Sequence, residues 1–461
     1  MRGRRWLGLI VAVTLLTGTA YGATPARARG QAGILAPVLL PGTAGTAEPR
    51  IAVGPGGKLF ALASLDTGPH PRAALFVSDD GGRSFAPRAP LPGQDQPSID
   101  LDLAVATTGR VVAAELDART LSVRAAYTDD GGRNWQASTG MAADVDRQWL
   151  VSGPGGRVYL VWHNFVSGLG AHEVLVQTSL DGGATFGAPV PVVPVGSPAF
   201  TDLACGDSTG PSSIVVNQAT GRLFVSFATR TGVGGGCGQS LTPAGPRFNV
   251  VPSTHVWVAS SPDGSAGTWT VSLAADTSSS NRPIALQYAP LAVSPSGAVL
   301  LTYTEGRAAD DYSSDVRLTT STDDGAHWGD PAVVAGSLPA MFPLVATDAS
   351  GVTVLAYLHG VGSGQQTSWF PTVTVLAGRR HTSTTVSSFA SHVGSPAAMA
   401  AHCAEGVSAG LQQGLLCNRY LDNFGFAAAG GRVAVIWPAP FAHLSGHTDG
   451  TYVTTLPDAG R

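Results

Sequence analysis

Lysine is almost absent from this chain: Lys58 is the only one in 461 residues, and the rest of the positive charge is arginine. Charged residues make up just 13% of the chain and the formal charge is −4, so there is no basic field to attract a polyphosphate. That excludes nucleic acid as a partner. Cysteine is limited to Cys205, Cys237, Cys403 and Cys417, too widely spaced and too poor in neighbouring histidine for a zinc site. Long apolar runs are missing after the N-terminus, so no later segment is expected to cross a membrane. What the chain does have is turn chemistry, 59 glycines and 32 prolines, beside a hydrophobic content of 44%. An all-β protein of short strands and tight turns fits that mixture better than a helical one.

Residues 1–28 read as an export signal. Arg2, Arg4 and Arg5 precede a short apolar run at 7–16, and small residues follow, with cleavage sites after Ala20, Ala23 or Ala28. The alternative, an uncleaved N-terminal anchor, suffers from the shortness of that run. The mature chain, 29–461, is then expected outside the cytoplasm as one domain and a monomer. Four cysteines suit that oxidising compartment and imply two disulfides, for which three pairings exist.

Seven segments repeat one pattern, a tight glycine turn followed by an apolar strand. They start at Gly57, Gly109, Gly156, Gly221, Gly297, Gly351 and Gly431, in steps of 52, 47, 65, 76, 54 and 80 residues. Five place an aromatic at the sixth position after the glycine: Trp162, Phe227, Tyr303, Tyr357 and Trp437. Strands this continuously apolar are covered on both faces. The shorter steps match one four-stranded propeller blade and the longer ones imply insertions.

Five of the seven units carry a second hairpin with a distinctive turn: SDDGGRSF from Ser78, TDDGGRNW from Thr128, SLDGGATF from Ser179, SPDGSAGTW from Ser261 and STDDGAHW from Ser321. Asp80, Asp130, Asp181, Asp263 and Asp323 can accept hydrogen bonds from their own turns, while glycine supplies positive φ. The closing Phe or Trp is expected between neighbouring sheets. These turns resemble the Asp box of BNR-repeat propellers of the sialidase superfamily. The expected fold is therefore a β-propeller with seven four-stranded blades, six being the alternative. The sixth unit has a plain turn at 377–380. The seventh shows one outer strand, 451–456, which 34–40 could complete to close the ring.

In a propeller the first-to-second and third-to-fourth turns share one face, and here they are all short. The insertions, 191–210, 230–252, 276–289, 306–314, 359–368 and 390–420, fall on the other face, where variable loops on a rigid frame usually bind ligands. That placement makes Cys205–Cys237 and Cys403–Cys417 the sensible bridges. The loops could equally be tolerated excess with the bridges limiting their motion.

Sialidases hold the substrate carboxylate with three arginines and use a Tyr–Glu pair with an Asp acid/base. The resemblance implies Arg50, in Pro49-Arg50-Ile51-Ala52, as the first arginine, with Ala52 in place of the family's proline. The second arginine is missing from the first blade at Ser64-Leu65-Asp66. An E-G-R instead occurs at Glu305, Gly306 and Arg307, with Asp315 beyond it, in the fifth blade. These four could equally be ordinary polar residues. A second group is read from register alone: Glu48, Asp100 and Asp422 precede innermost strands, with Asp102, Asp146 and Arg147 beside them. Carboxylates converging on the axis would bind a cation such as Ca²⁺, act as acid/base groups, or face channel water. Trp149 and His163 would offer a sugar-stacking surface, or simply pack. No cofactor other than Ca²⁺ is expected. The favoured function is binding of a glycan or an extracellular protein through the loop-rich face, the alternative being a sialidase-like glycoside hydrolase.

Overall fold

The computed structural model describes residues 33–43, 48–65, 72–93, 98–117, 120–143, 145–164, 174–204, 210–229, 253–279, 282, 284, 288–308, 311–362, 367–378, 380–393, 424–440 and 442–457. The expected leader at 1–28, the four cysteines and Asp422 lie outside them. The strands form seven antiparallel blades of four. Blade one comprises Arg50–Val53, Leu59–Leu65, Arg72–Ser78 and Ala86–Pro90. Blade two comprises Ser98–Val105, Val111–Asp117, Ser122–Thr128 and Gln136–Ala137. Blade three is Val145–Ser152, Val158–Asn164, Val174–Ser179 and Val190–Pro191; blade four is Pro211–Val216, Leu223–Thr229, His255–Ser261 and Thr270–Asp276.

Blades five and six share one continuous strand, Ala332–Thr347. Its first half pairs with Asp311–Ser321 of blade five and its second half with Thr353–Val361 of blade six. Leu291–Val293 and Val299–Ala308 complete blade five, and Ser368–Ala377 and Arg380–Thr385 complete blade six. In blade seven, Gly425–Ala429, Arg432–Ala439 and Gly450–Pro457 are joined by the N-terminal strand Val38–Leu39, paired at Val38↔Val453 and Leu39↔Tyr452. The amides of Leu35 and Leu40 extend this seam to the carbonyls of Thr455 and Thr451, both at 2.9 Å. The innermost strands touch in turn from blade one to blade seven, and blade seven touches blade one again. The ring is closed at seven.

The repeat has a direct physical cause. All seven repeat glycines have φ between 76° and 89°, a region costly for any side chain with a Cβ. The strands they open are buried along almost their whole length, and Trp162, Phe227, Tyr303, Tyr357 and Trp437 are each at most 2% exposed. Packing between sheets is thus the main source of stability.

The Asp turns fasten both themselves and their neighbours. Asp80 Oδ1 accepts from Ser78 Oγ at 2.8 Å and from the amides of Arg83 and Ser84 at 2.9 and 3.0 Å, while Ser84 Oγ donates to Oδ2 at 2.6 Å. The same pattern recurs at Asp130, Asp181 and Asp323, and in a variant form at Asp263. A glycine carbonyl in the turn then accepts from the preceding blade. Arg88 Nε donates to Gly131, Ser138 Oγ to Gly183, Ser272 Oγ to Gly325, and Thr455 Oγ1 to Gly81 across the closing seam. Phe85 and Phe186 are buried in clusters shared with the preceding blade, and Trp135 Nε1 reaches back to Ala89 O at 3.0 Å.

Two expected insertions change character. The insertion at 306–314 is largely strand, with blade five still paired at Gly306↔Ser314 and Ala308↔Asp311. Residues 359–368 are partly strand, with His359–Val361 paired to Ser368–Phe370. The insertion at 191–210 instead folds a short helix, Pro198–Ala204. Among the described residues no helix is long and apolar enough to cross a membrane.

Candidate ligand site at the mouth of the axis

The innermost strands begin at the loop-rich end of the axis, and several do so with a fault in their pairing. The register shifts between Ile99 and Leu101, Asp146 and Trp149, and Met341 and Leu344. Each shift contains a non-glycine residue at positive φ: Asp100 at 45°, Arg147 at 54° and Phe342 at 53°. Bulges of this kind re-aim side chains, and the backbone strain they hold collects at functional sites. Gln148, fully buried, donates from Nε2 to the carbonyl of Asp100 and ties two of the bulges together.

Arg50 is the centre of the site. Its Nη2 lies 3.4 Å from Glu48 Oε2, its Nε 3.5 Å from Asp102 Oδ1, and its Nη1 donates to Phe424 O at 3.3 Å. The guanidinium carbon stands 4.5 Å from the Trp149 ring centroid. Asp102 Oδ2 accepts from the Leu150 amide at 2.6 Å. Burial drives the Asp102 carboxyl up to about 6, against the opposing pull of Arg50 and of the backbone amides of Leu150 and Leu103.

Beside this pair, Asp146 Oδ2 lies 3.3 Å from His163 Nε2. Burial raises the Asp146 carboxyl, but His163, Arg147 and a hydrogen bond from Asp100 outweigh it, and the group sits low, at about 2. Arg147 lies over Tyr288 at 5.0 Å, and Tyr288 packs edge-on against Phe342. Gly210 passes so close to His163 that a Cβ there would meet its ring at 2.5 Å.

Arg50, Asp102 and Trp149 open onto an axial cavity of about 190 Å³. Arg50, Asp102, Trp149, Ser212 and Phe424 line it together with apolar residues from the innermost strands, such as Leu150, Ile214 and Val345. All seven blades contribute.

The structure therefore joins Glu48, Arg50, Asp102 and Trp149, sets Asp146, Arg147 and His163 nearby, and separates them from the blade-five candidates. Glu305 pairs with Arg317 at 2.7 Å, and Asp315 lies 3.6 Å from the same arginine, with Arg282 at 3.7 and 3.9 Å from the two acids. Glu305 and Asp315 face each other across two strands, so their partner is the neighbouring Arg317 and not Arg50. The Arg307 side chain lies outside the described residues. Trp149 is no open stacking surface: it is 5% exposed, its Nε1 donates to Pro211 O at 2.7 Å, and Arg50 covers its face.

Glu48 and Asp102 are engaged by a guanidinium, and no group of three or more His, Cys, Asp or Glu among the described residues is arranged to hold a metal ion. Tyr288, Gln148 and Phe424 escaped the sequence reading. Tyr288 stands nine residues before Gly297, as Glu48 stands before Gly57, and extending that register to every residue type would have found it; Phe424, seven before Gly431, shares the register of Arg50 and Asp102.

No protein-family model and no curated protein sequence matches the chain. Among solved structures it is similar to a polysaccharide lyase, an ulvan lyase, at 11% identity and TM-score 0.51, over 92% of this chain and 96% of that one. It is likewise similar to a protein of unknown function from Dyadobacter fermentans, at 14% identity and TM-score 0.50, over 93% and 100% of the two chains. A Hadza microbial sialidase aligns at 12% identity and TM-score 0.42, over 89% of this chain and 65% of that one. At such identities the likeness establishes the architecture, and the chain is a β-propeller.

Proposed function

We propose that this protein is an exported binding propeller that holds the end group of a glycan in its axial cavity. The observation that carries the reading is the buried Arg50–Asp102 pair in the wall of a cavity of about 190 Å³. A small concavity with apolar walls and a few convergent, fixed polar groups is the general form of a small-ligand site. Arg50 and Asp102 supply donors and acceptors in one place, as a hydroxyl-rich ring requires. The leader at 1–28 would deliver the site to a compartment where polymeric sugars are exposed. A polysaccharide lyase of this fold is bound to a -[GlcA(1-4)Rha3S]- saccharide, although at 10% identity that likeness concerns the fold.

The test is glycan-array screening of the mature chain, followed by calorimetry on the hits. Binding is expected to weaken by about tenfold or more in Asp102→Asn, the usual scale for losing one hydrogen-bonded charged contact. A folded protein that retains no glycan ends this reading.

One observation favours a second reading, glycoside hydrolysis at the same mouth. Asp102 is held high and Asp146 low, and two carboxylates pushed apart in this way can divide the acid and base roles. Turnover of fluorogenic glycosides that disappears in Asp102→Asn would support it. A sialidase-type reaction is the less favoured form, because Arg50 already serves Glu48 and Asp102.

A further inference from the structure

Every blade lines the axial cavity from the same place in its repeat, seven positions before the repeat glycine. Blades one and two put Arg50 and Asp102 there, and blade three puts Trp149. Blades four to seven put Ile214, Pro290, Leu344 and Phe424 there. The ring is two-sided. Within it, the side chains with hydrogen-bonding capacity to spare are Arg50 and Asp102. The guanidinium carries more N–H donors than its contacts with Glu48, Asp102 and Phe424 O use, and each carboxylate oxygen has a second lone pair. The indole N–H of Trp149 is taken by Pro211 O. Two serines of blade four also line the cavity, and both are engaged, Ser213 with the Leu291 amide at 2.9 Å and Ser226 Oγ at 3.3 Å.

In a closed ring of seven, blade five lies across the axis from the junction of blades one and two. Pro290 therefore stands opposite the Arg50–Asp102 pair, with Ile214 and Leu344 on either side of it. A group that fills the cavity must be polar along one edge and apolar along the opposite one. At about 190 Å³ the space is smaller than the roughly 300–1,000 Å³ pockets of drug-sized ligands, so it holds one ring and not a chain. In a 6-deoxy pyranose the hydroxyls at C2 and C3 lie across the ring from the methyl at C5, which matches this division. A hydroxymethyl in that place would bury its hydroxyl against three side chains that cannot pair with it.

Resting on the glycan-binding reading, we propose that the cavity selects a 6-deoxy sugar end group, with its ring hydroxyls on Arg50 and Asp102 and its methyl on Ile214, Pro290 and Leu344. The apolar side gains from burying the methyl and rejects the extra hydroxyl.

The experiment is calorimetry of the protein with methyl glycosides in matched pairs that differ only by the oxygen at C6. The pairs are L-fucose with L-galactose, L-rhamnose with L-mannose, and 6-deoxy-D-glucose with D-glucose. It is run at about pH 8, above the titration of Asp102 at about 6, so that this carboxyl stays in one form. In any pair that binds, the deoxy member is expected to be at least about tenfold tighter, within the range by which an apolar pocket rejects an added hydroxyl. Leu344→Asn offers that hydroxyl a partner and should shrink the ratio by about threefold or more. Asp102→Asn, at the other edge, should weaken both members of a pair alike and keep the ratio. Thermal melts confirm that the variants fold, and if they do not, the ratios on the unaltered chain decide alone. Equal binding within the pairs, or tighter binding of a hydroxymethyl member, overturns the selectivity and leaves glycan binding standing. Binding of none of these sugars also overturns it, and an empty glycan array beside that result overturns both readings.

Discussion

The guanidinium of Arg50 lies 4.5 Å over the ring of Trp149, two blades away around the axis. Asp102, from the blade between them, holds the same guanidinium at 3.5 Å. One side chain therefore pins three innermost strands at the point where the ligand cavity opens. The pinning explains why Arg50 is 12% exposed despite its charge: it has an aromatic face below it and carboxylates beside it.

Removing this pin should cost more than an average substitution. Arg50→Ala leaves Glu48 and Asp102 buried without their counter-charge, for which losses of about 3–5 kcal/mol are usual. Arg50→Lys keeps the charge but loses the planar fork and the stack, and should fall between the two. Urea unfolding at neutral pH measures both. An Arg50→Ala protein within about 0.5 kcal/mol of the parent would mean that the pair is ornamental.

The two acids of the mouth impose opposite pH dependences. Asp102 titrates at about 6 in the folded chain against 3.8 for an ordinary aspartate, so the folded state holds the proton more tightly. Its stabilising contribution is complete below about pH 4 and is lost as the pH rises through 6. Asp146, held at about 2, contributes above pH 4 and loses its contribution as the pH falls through 2. Between pH 4 and 6 the Asp102 effect stands alone. Stability relative to Asp102→Asn should decline across that window by up to about 3 kcal/mol, the value of a two-unit displacement. Denaturant melts at pH 4, 5 and 6 check it, and parallel curves for the two proteins would contradict the burial of Asp102.

The sequence disclosed the scaffold far better than the site, and the residues show why. Gly57 and its six counterparts each need positive φ, and Asp80 and its counterparts each close a local turn. Such requirements are met within a few residues, so they leave a repeating signature. The N-terminal strand was legible from the count of strands, since blade seven lacked one that 34–40 could supply, and Val38–Leu39 pair there. The mouth depends on contacts made around the ring. Arg50 was grouped with Glu305 through the resemblance to sialidases, but Glu305 had a nearer cation in Arg317, directly across the strand pair from Tyr303. Neither pairing leaves any mark in local sequence. Register did locate Asp102 and Asp146, because an innermost strand must begin near the axis wherever its partners come from.

The Asp turns should matter for stability and not for the ligand. Asp181 accepts from the Thr185 amide and hydroxyl and from Ser179 Oγ at 2.7–2.9 Å, and these bonds, the amide first, hold its carboxyl at about 2. The group is open to water, so screening limits its worth, and Asp181→Ala should cost about 1 kcal/mol, as for a lost helix cap. Its contribution is present above about pH 4 and fades as the pH falls through 2. Thermal melts should register the loss while calorimetry with the ligand does not change. A lost ligand with an unchanged melt would place the turn in the site and refute the assignment.

The closing seam gives the largest predicted effect far from the mouth. Val38 and Leu39 pair with Val453 and Tyr452, and Leu40 is wholly buried beside Ile436 and Val453. Leu40→Ala removes part of that packing and should cost about 2–5 kcal/mol. Removing 29–43 altogether exposes the unpaired edge of Gly450–Pro457, with its row of amides and carbonyls, and also frees the strand whose Thr455 hydroxyl holds Gly81 of blade one. The ring would then open between blades seven and one, and the free edge is a template for another chain. The shortened protein should therefore melt lower and elute in size-exclusion chromatography as oligomers, whereas Leu40→Ala should melt lower and remain at the parent position. A monomeric shortened protein with an unchanged melting temperature would show that the ring closes without its N-terminal strand.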